Sequence, residues 1–286
     1  MPAADLALVL GAGGVAGIAW ETGLLAGLRE AGSDLTGADL VVGTSAGATV
    51  AAQVTSGVPL AELYADQADP SRHRAELAPR RPAAERRAAI ARIADGATTP
   101  QERRRLIARA ALAADTVPEA TRRAVVAARL PVHDWPAVRL LVVAVDAEDG
   151  AIRVLTAEDG VPLVDAIAAS CAVPLTWPPV TIDGRRYVDG GLASGENAHL
   201  AAGARRVVVV APSVGASLAA GSGLGEQVAA LRDGGADVVV LRPDDDARRA
   251  IGEDPLDPAA RAPAARAGRR QGLALAAALA PPVAAD

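Results

Sequence analysis

The segment DLVVGTSAGATVAAQV (39–54) constrains the fold more than any other part of the chain, because its Gly-Thr-Ser-Ala-Gly sequence separates a short apolar run from a small-residue helical pattern. This order has the G-x-S-x-G form of a nucleophile elbow, a tight strand-to-helix turn that exposes a serine hydroxyl. It predicts a strand that ends near Gly43, a helix that begins near Ala46 and a candidate nucleophile at Ser45. The alternative interpretation is a glycine-rich βα turn in which the serine is incidental.

Strand-like apolar runs recur along the chain and alternate with helical patterns, which is typical of a largely parallel sheet covered on both faces. A hairpin is also predicted, because Asp183-Gly184 lies between two short β-type runs. We therefore expect an α/β protein with a three-layer α/β/α arrangement and a largely parallel central sheet. The strand-like runs outside the elbow and the hairpin are 5–10, 138–146, 151–156, 205–212 and 236–243.

The alternation is interrupted between about residues 58 and 136, where several Ala- and Arg-rich helical patterns occur without a convincing strand. A closing helix and tail are expected at about 255–286. With 286 residues, of which 51% are hydrophobic, the chain is long enough to bury a sizeable core. The expected organisation is therefore a single domain over 1–286, with a helical insertion after the nucleophile helix.

The charge of this insertion differs from that of the rest of the chain. The 71–139 segment contains 15 arginines and seven acidic residues, whereas the whole chain has a formal net charge of −5. Amphipathic arginine-rich helices are typical of a lid that contacts an anionic membrane, and equally of a solvated helix face. Nucleic-acid binding is not expected, because the chain is acidic overall and the arginine-rich helical patterns of the insertion contain no aromatic residues for base stacking.

The cysteine content and the N-terminal sequence predict a cytoplasmic location. The single cysteine, Cys171, rules out an internal disulfide and favours a reducing compartment. No positively charged region precedes the first apolar run, so no signal peptide is expected, and no run approaches the ~18 to 20 apolar residues of a membrane span. The His, Cys and Asp residues show no metal-ligand spacing, so neither a metal nor another cofactor is expected.

The glycine-rich segment GAGGVAG (11–17) follows the first predicted strand and has three interpretations. It fits the G-x-G-x-x-A form of a dinucleotide-binding loop, but the acid that should end a strand about 20 residues later is missing, since Asp34 lies in a predicted loop. It also fits a set of backbone N–H donors beside the nucleophile, where glycine lets the backbone approach a developing oxyanion. The third interpretation is tight packing between strand and helix.

Asp189 is the second candidate catalytic residue. It ends the second strand of the predicted hairpin and is followed by Gly190 and Gly191. A carboxylate at a strand end, with bare backbone after it, is well placed to face a cleft. On its own, the segment is more typical of an ordinary Asp-Gly turn.

These segments in this order resemble the patatin-like phospholipase family. The resemblance covers about 6–54 and 138–210, and it includes ASCAVPLTWPPVTIDGRRYVDGGL (169–192), which is similar to the family's stretch around its catalytic aspartate. It implies hydrolysis of lipid or lysophospholipid acyl esters, through an acyl-enzyme, by a Ser-Asp dyad without histidine. The implied residues are Ser45 and Asp189 for catalysis, Gly13, Gly14 and Ala46 for the oxyanion hole, and Gly11, Gly17, Gly43, Gly47, Gly190 and Gly191 in support.

The sequence departs from the family pattern at Ala12 and Ala16. The family commonly has G-G-G-x-R/K-G in the glycine-rich loop, so Ala16 replaces a basic residue. Two alternatives therefore stay open beside hydrolysis, namely acyl transfer by the same dyad and a catalytically weak lipid-binding or regulatory module. A Ser-Asp-His triad with His199 is not favoured, because only ten residues separate His199 from Asp189. The oligomeric state does not follow from the sequence.

Overall fold

The computed structural model describes residues 4–213 and 223–279. The strands among these residues form one eight-stranded sheet. All of the predicted runs form strands, with ends shifted by only a few residues. The strands are β1 (Leu6–Leu10), β2 (Leu40–Thr44), β3 (Arg139–Asp146), β4 (Ile152–Leu155), β5 (Val180–Ile182), β6 (Arg185–Asp189), β7 (Arg206–Val210) and β8 (Asp237–Leu241).

The sheet has the order β5-β6-β3-β2-β1-β7-β8, and β4 pairs with β3 outside this path. The pairs β3-β2, β2-β1, β1-β7 and β7-β8 are parallel. The pairs β3-β4, β3-β6 and β5-β6 are antiparallel. The sheet is therefore largely parallel, as expected, with an antiparallel hairpin at one edge.

Helices cover both faces of the sheet. They are α1 (Gly14–Glu30), α2 (Ala46–Val54), α3 (Leu60–Ala68), α4 (Ala83–Ala94), α5 (Pro100–Leu112), α6 (Glu119–Arg129), α7 (Leu163–Ser170), α8 (Leu224–Asp233), α9 (Asp245–Ile251) and α10 (Arg261–Leu279).

Alternate residues of the central strands enter two separate cores, because successive side chains of a strand point to opposite faces. Leu8 and Leu10 of β1 pack in a core with α1, α2, α7 and α10. Ala7 and Val9 pack on the other face with α8 and a short 3-10 helix (Ala198–Ala201). The layers are thus α/β/α.

The predicted closing helix corresponds to α10, which packs along α1. Glycines four residues apart on each helix let the two backbones approach closely. A Cβ on Gly23 would lie 2.1 Å from the carbonyl oxygen of Ala265, and one on Gly268 would lie 2.3 Å from that of Trp20. The predicted tail at 280–286 lies outside the described residues.

The predicted insertion contains only helices, α3 to α6 and a short 3-10 helix (Pro70–Arg72), between α2 and β3. It does not project away from the body. Ile90 of α4 and Ile107 of α5 pack against Val145 of β3 and Val188 of β6 in a third buried cluster. The insertion therefore forms part of the helical cover at the end of the sheet where β6 lies.

Candidate active site

The elbow at Ser45 has the strained geometry that its sequence predicts. Ser45 lies between β2 and α2 with φ 54° and ψ −113°, a backbone conformation that non-glycine residues rarely adopt. The turn requires small flanking residues. A Cβ on Gly47 would lie 2.0 Å from the carbonyl oxygen of Leu10, and one on Gly43 would lie 2.5 Å from the Cα of Ala48.

Two side chains at the end of α7 hold the backbone of Ser45. The Ser45 N–H donates to Ser170 Oγ at 2.9 Å, and Cys171 Sγ donates to the Ser45 carbonyl oxygen at 3.1 Å. Burial raises the pKa of the Cys171 thiol, which keeps it protonated and able to donate. Neither contact with the elbow was predicted from the sequence. Their only signal was their position in the 169–192 segment.

Asp189 reaches Ser45 because β6 runs antiparallel to β3. Asp189 pairs with Ala144, the residue after Val143, and Val143 pairs with Thr44 at the end of β2. The end of β6 is therefore brought back to the end of β2. Ser45 Oγ donates a 2.7 Å hydrogen bond to Asp189 Oδ2.

The second carboxylate oxygen of Asp189 accepts a 2.8 Å hydrogen bond from the Gly191 N–H. The side chain is buried, and this burial raises the pKa of Asp189 from 3.8 to about 7, against the smaller lowering effects of the Gly191 N–H and the Ser45 hydroxyl. A Cβ on Gly190 would lie 2.2 Å from the carbonyl oxygen of Val143, so the chain beyond Asp189 can run there only with glycine. A carboxyl group with a pKa near neutral pH can both accept and return a proton.

The glycine-rich loop lies beside this pair. Gly14 has φ +62°, and Cβ atoms on Gly13 and Gly14 would lie 2.7 Å from Pro212 and 2.5 Å from the Pro255 carbonyl oxygen. Within 4–213 and 223–279, the N–H groups of Gly13, Gly14 and Ala46 donate no hydrogen bond. Gly14 and Ala46 begin α1 and α2, so the positive end of each helix dipole adds to these donors.

The N–H groups of Gly11 and Gly17, in contrast, already donate hydrogen bonds within the protein. The Gly11 N–H donates to the Val210 carbonyl oxygen and to Glu21 Oε1, both at 3.0 Å. Glu21 is fully buried, and burial raises its pKa well above the usual range. The Gly17 N–H donates to the Gly13 carbonyl oxygen at 2.7 Å, and a Cβ on Gly17 would make only ordinary contacts. Gly11 and Gly17 therefore hold the loop rather than face the cavity.

A cavity of about 610 Å³ opens beside Ser45 and Asp189, within the size range of small-molecule sites. Its apolar wall comes from three parts of the chain, namely α4, the turn after α7 and the 251–256 loop. The side chains of that wall are Ile90, Val173, Ile251, Pro255 and Leu256.

Helix α4 of the insertion crosses one side of this cavity. Arg86 forms a 2.7 Å ion pair with Asp254, and Arg87 donates to the Glu253 carbonyl oxygen at 3.3 Å. These contacts join α4 to the 251–256 loop beside the cavity. Helix α4 is therefore fixed to a loop beside the cavity, a contact that nothing in the sequence indicated.

The histidines do not take part in the Ser45-Asp189 pair, and of Trp20 and Trp177 only Trp177 lies beside it. His199 contacts Gln227, and in the described parts of the chain none of the three histidines hydrogen bonds with Ser45 or Asp189. Trp20 of α1 is buried, and its Nε1–H donates to Gln271 of α10. Trp177 lines a narrow recess beside Ser45.

No group of three or more His, Cys, Asp or Glu side chains in 4–213 and 223–279 is placed to hold a metal ion. Over the same residues, every helix is too short or too polar to cross a bilayer.

Comparison with known proteins identifies the family. The family model described as patatin-like phospholipase matches residues 8–202, which is more than half of the chain. A search of curated proteins returned no match. The solved structure of VipD from Legionella pneumophila aligns with a TM-score of 0.44 and 13% identity, over 97% of this chain and 67% of that chain. On the family match, the chain belongs to the patatin-like phospholipase family, which supports lipid acyl hydrolase activity in general.

Proposed function

We propose that this protein is a serine acyl hydrolase that cleaves acyl esters of lipids or lysophospholipids through a Ser45-Asp189 dyad. The observation that carries the proposal is the 2.7 Å hydrogen bond from the Ser45 hydroxyl to a buried carboxylate. Burial brings the pKa of Asp189 to about 7, so this carboxylate is a far better base than a free aspartate. No histidine is needed for the proton transfer.

In the first half of the reaction, Ser45 Oγ attacks the ester carbonyl carbon while its proton passes to Asp189 Oδ2. The carbonyl oxygen becomes an oxyanion, which the N–H groups of Gly13, Gly14 and Ala46 stabilise. These donors have no acceptor among the described residues, and removal of one such donor typically costs ~10² to 10³ in rate. When the tetrahedral intermediate collapses, the leaving alcohol takes the proton from Asp189 and the acyl group stays on Ser45.

In the second half, Asp189 accepts a proton from a water molecule, and the oxygen of that water attacks the acyl-enzyme. The same N–H groups stabilise the second oxyanion, and Ser45 recovers its proton from Asp189 when the carboxylic acid leaves. The buried thiol of Cys171 and the hydroxyl of Ser170 keep Ser45 in place through both halves. Acyl transfer would use the same steps with another alcohol in place of water.

The lining of the cavity supports a substrate with an acyl chain. The 610 Å³ space has apolar side chains such as Val173 and Leu256 near the dyad, where an acyl chain would lose contact with water. We include α4 in the proposal as a lid, since Arg86 and Arg87 join it to the 251–256 loop. Contact of the exposed arginines of the insertion with an anionic membrane, and a cytoplasmic location, belong to the same proposal.

The proposal is tested by hydrolysis of a short p-nitrophenyl ester by wild type, Ser45→Ala, Asp189→Asn and His199→Ala. We expect the first two variants to lose activity by a factor of about 10² or more, because each removes a group that takes part in the chemistry. His199→Ala should retain activity close to wild type, since His199 hydrogen bonds with Gln227 and, among the described residues, with neither Ser45 nor Asp189. Loss of activity in His199→Ala, or full activity in Asp189→Asn, would contradict the dyad.

A further inference from the structure

A buried cluster of arginines lies on the insertion side of Ser45. Arg122 and Arg129 of α6 and Arg261 at the start of α10 surround the carboxylate of Glu76, and all four side chains are less than a tenth exposed. Arg122 Nη1 lies 2.7 Å from Glu76 Oε1, Arg129 Nε donates to Oε2 at 3.0 Å, and Arg261 Nη2 lies 3.5 Å from the same oxygen.

This cluster has an excess of positive charge. Three guanidinium groups face one carboxylate, and within 4–213 and 223–279 no other acid forms an ion pair with any of them. Glu76 Oε1 also accepts a hydrogen bond from the Leu77 N–H, so both oxygens of the carboxylate already have hydrogen-bond donors. Buried charges without partners are costly, and here about two positive charges remain without a negative partner.

The protein compensates for this charge only in part. The Arg122 guanidinium lies over the ring of Trp177 at 4.0 Å, a favourable cation–π contact. The Nε atoms of Arg122 and Arg261 are buried without an acceptor in the described residues. Burial lowers the pKa of both guanidinium groups, and repulsion from Arg129 lowers each further. Arginine stays charged under these conditions, so the cluster favours an added anion.

A recess of about 80 Å³ lies against this cluster and is lined by three arginines, Arg74, Arg129 and Arg261. Arg74 is exposed and forms no ion pair in the described part of the chain. The recess also contains Asp66, but that carboxylate is paired with Arg72 at 2.6 Å. Its volume holds several water molecules or one tetrahedral oxyanion.

This recess adjoins the narrow recess beside the candidate nucleophile. Val15, Ile18 and Arg129 line both, and the narrow recess is also lined by Ser45, Arg122 and Trp177. An anion at Arg129 would therefore bind next to the proposed active site.

We propose that the recess lined by Arg74, Arg129 and Arg261 is a binding site for a phosphate group. Guanidinium groups suit phosphate because their planar array of N–H donors matches two oxygens at once. The phosphate belongs either to the head group of a lipid substrate or to free inorganic phosphate. Binding itself does not depend on the proposed hydrolase activity, whereas the head-group source rests on it.

The first experiment measures binding of inorganic phosphate to Ser45→Ala protein by isothermal titration calorimetry, so that catalysis plays no part. In this background Arg261→Met and Arg129→Met should each weaken binding by about 10-fold to 100-fold, the usual effect of losing a charge-assisted hydrogen bond. The matched controls are Arg270→Met and Arg123→Met, exposed arginines on the same two helices. Glu76→Gln should bind phosphate as tightly as its parent or more tightly, because it removes the one opposing charge.

The second experiment identifies the source of the phosphate. Hydrolysis of 1-acyl-glycerol-3-phosphate is compared with that of the monoacylglycerol with the same acyl chain. If the head group occupies the site, Arg261→Met lowers kcat/KM for the phosphorylated substrate about 10-fold or more and leaves the neutral one unchanged. If free phosphate occupies the site, Arg261→Met changes kcat/KM for both substrates to the same extent. Added phosphate then changes the rate of hydrolysis in wild type but not in Arg261→Met.

The proposal is overturned if the Ser45→Ala protein binds no phosphate at millimolar concentration, or if Arg261→Met and Arg129→Met bind it as their controls do. It is also overturned if Glu76→Gln folds and binds phosphate more weakly, which would indicate that the cluster only stabilises the fold. If the wild-type protein shows no esterase activity, the proposed function is refuted, but the result of the phosphate-binding experiment remains valid.

Discussion

Substitution of Asp189 by asparagine should make the protein more stable at neutral and alkaline pH while it removes activity. Asparagine has nearly the same shape and keeps an oxygen that can accept from the Gly191 N–H, so the local packing is preserved. What disappears is a negative charge that is buried beside the end of β2. The gain in stability therefore reports the cost of holding that charge in the native protein.

The magnitude follows from the pKa of Asp189, which burial raises from 3.8 to about 7. One pKa unit corresponds to about 1.4 kcal/mol, so the ionised carboxylate costs about 4 kcal/mol of stability when it is fully charged. Because the native protein binds more protons than the unfolded chain between pH 4 and pH 7, the stability that Asp189 contributes falls as pH rises through this window. The advantage of Asp189→Asn should therefore grow by about 2.5 kcal/mol between pH 5 and pH 8.

The assay is urea unfolding of wild type and Asp189→Asn, followed by circular dichroism at several pH values. Other titrating groups, such as Glu76 and Asp146, affect both proteins equally and cancel in the difference. Ser45→Ala is the matched control, because it removes the hydroxyl donor but keeps the buried carboxylate. Its stability should fall with rising pH as that of wild type does, with the fall extending to slightly higher pH because the hydroxyl no longer lowers the pKa of Asp189.

Equal stability of wild type and Asp189→Asn at pH 8, or a difference that does not change with pH, would refute this reasoning. Either result would mean that Asp189 ionises as easily in the native protein as in the unfolded chain. The carboxylate would then be a weak base, and the proposed proton transfer from Ser45 would lose its physical basis.

Three further predictions concern the same site. Esterase activity should rise with pH through about 7 and then level off, because Asp189 acts as a base only when ionised; a kcat/KM profile that is flat from pH 5 to pH 9 would count against it. Gly47→Ala should destabilise the fold by more than about 3 kcal/mol, since its Cβ would lie 2.0 Å from the Leu10 carbonyl oxygen. The control is Gly37→Ala, whose Cβ would have no atom within 4 Å and which should leave the melting temperature nearly unchanged. Ser170→Ala should lower kcat more than it raises KM, because it frees the Ser45 N–H while the cavity lining stays intact, and single-turnover kinetics with a short ester would show whether acylation slows.

Much of the architecture could be predicted because the sequence signals are local. Apolar runs of strand length alternate with helical patterns, and the two glycines around Ser45 identify the elbow without any long-range information. The helical insertion was also visible, since its arginine-rich patterns contain no strand-like run. The family match to residues 8–202 confirms the resemblance that these motifs suggested.

The contacts between distant segments were not predictable in the same way. Ser170 and Cys171 hold the elbow from more than 120 residues away, and nothing in their own sequence pattern distinguishes a hydrogen-bond partner of Ser45 from a packing residue. Arg122, Arg129 and Arg261 belong to segments that resemble solvated amphipathic helices. They are buried because Glu76 lies between them, a pairing that depends on the fold of the whole insertion.

Two unfavourable features meet at one point of this molecule, and packing alone explains neither. Ser45 adopts a positive φ that costs on the order of 1 to 3 kcal/mol, and Asp189 carries a charge that the surrounding protein disfavours. A sequence selected for stability alone would place glycine or asparagine at the first position and a neutral residue at the second. The contacts of Ser170, Cys171 and Gly191 instead maintain both features and keep the hydroxyl 2.7 Å from the carboxylate. Strain and burial are therefore both retained at the two side chains to which the proposed mechanism assigns the nucleophile and the base.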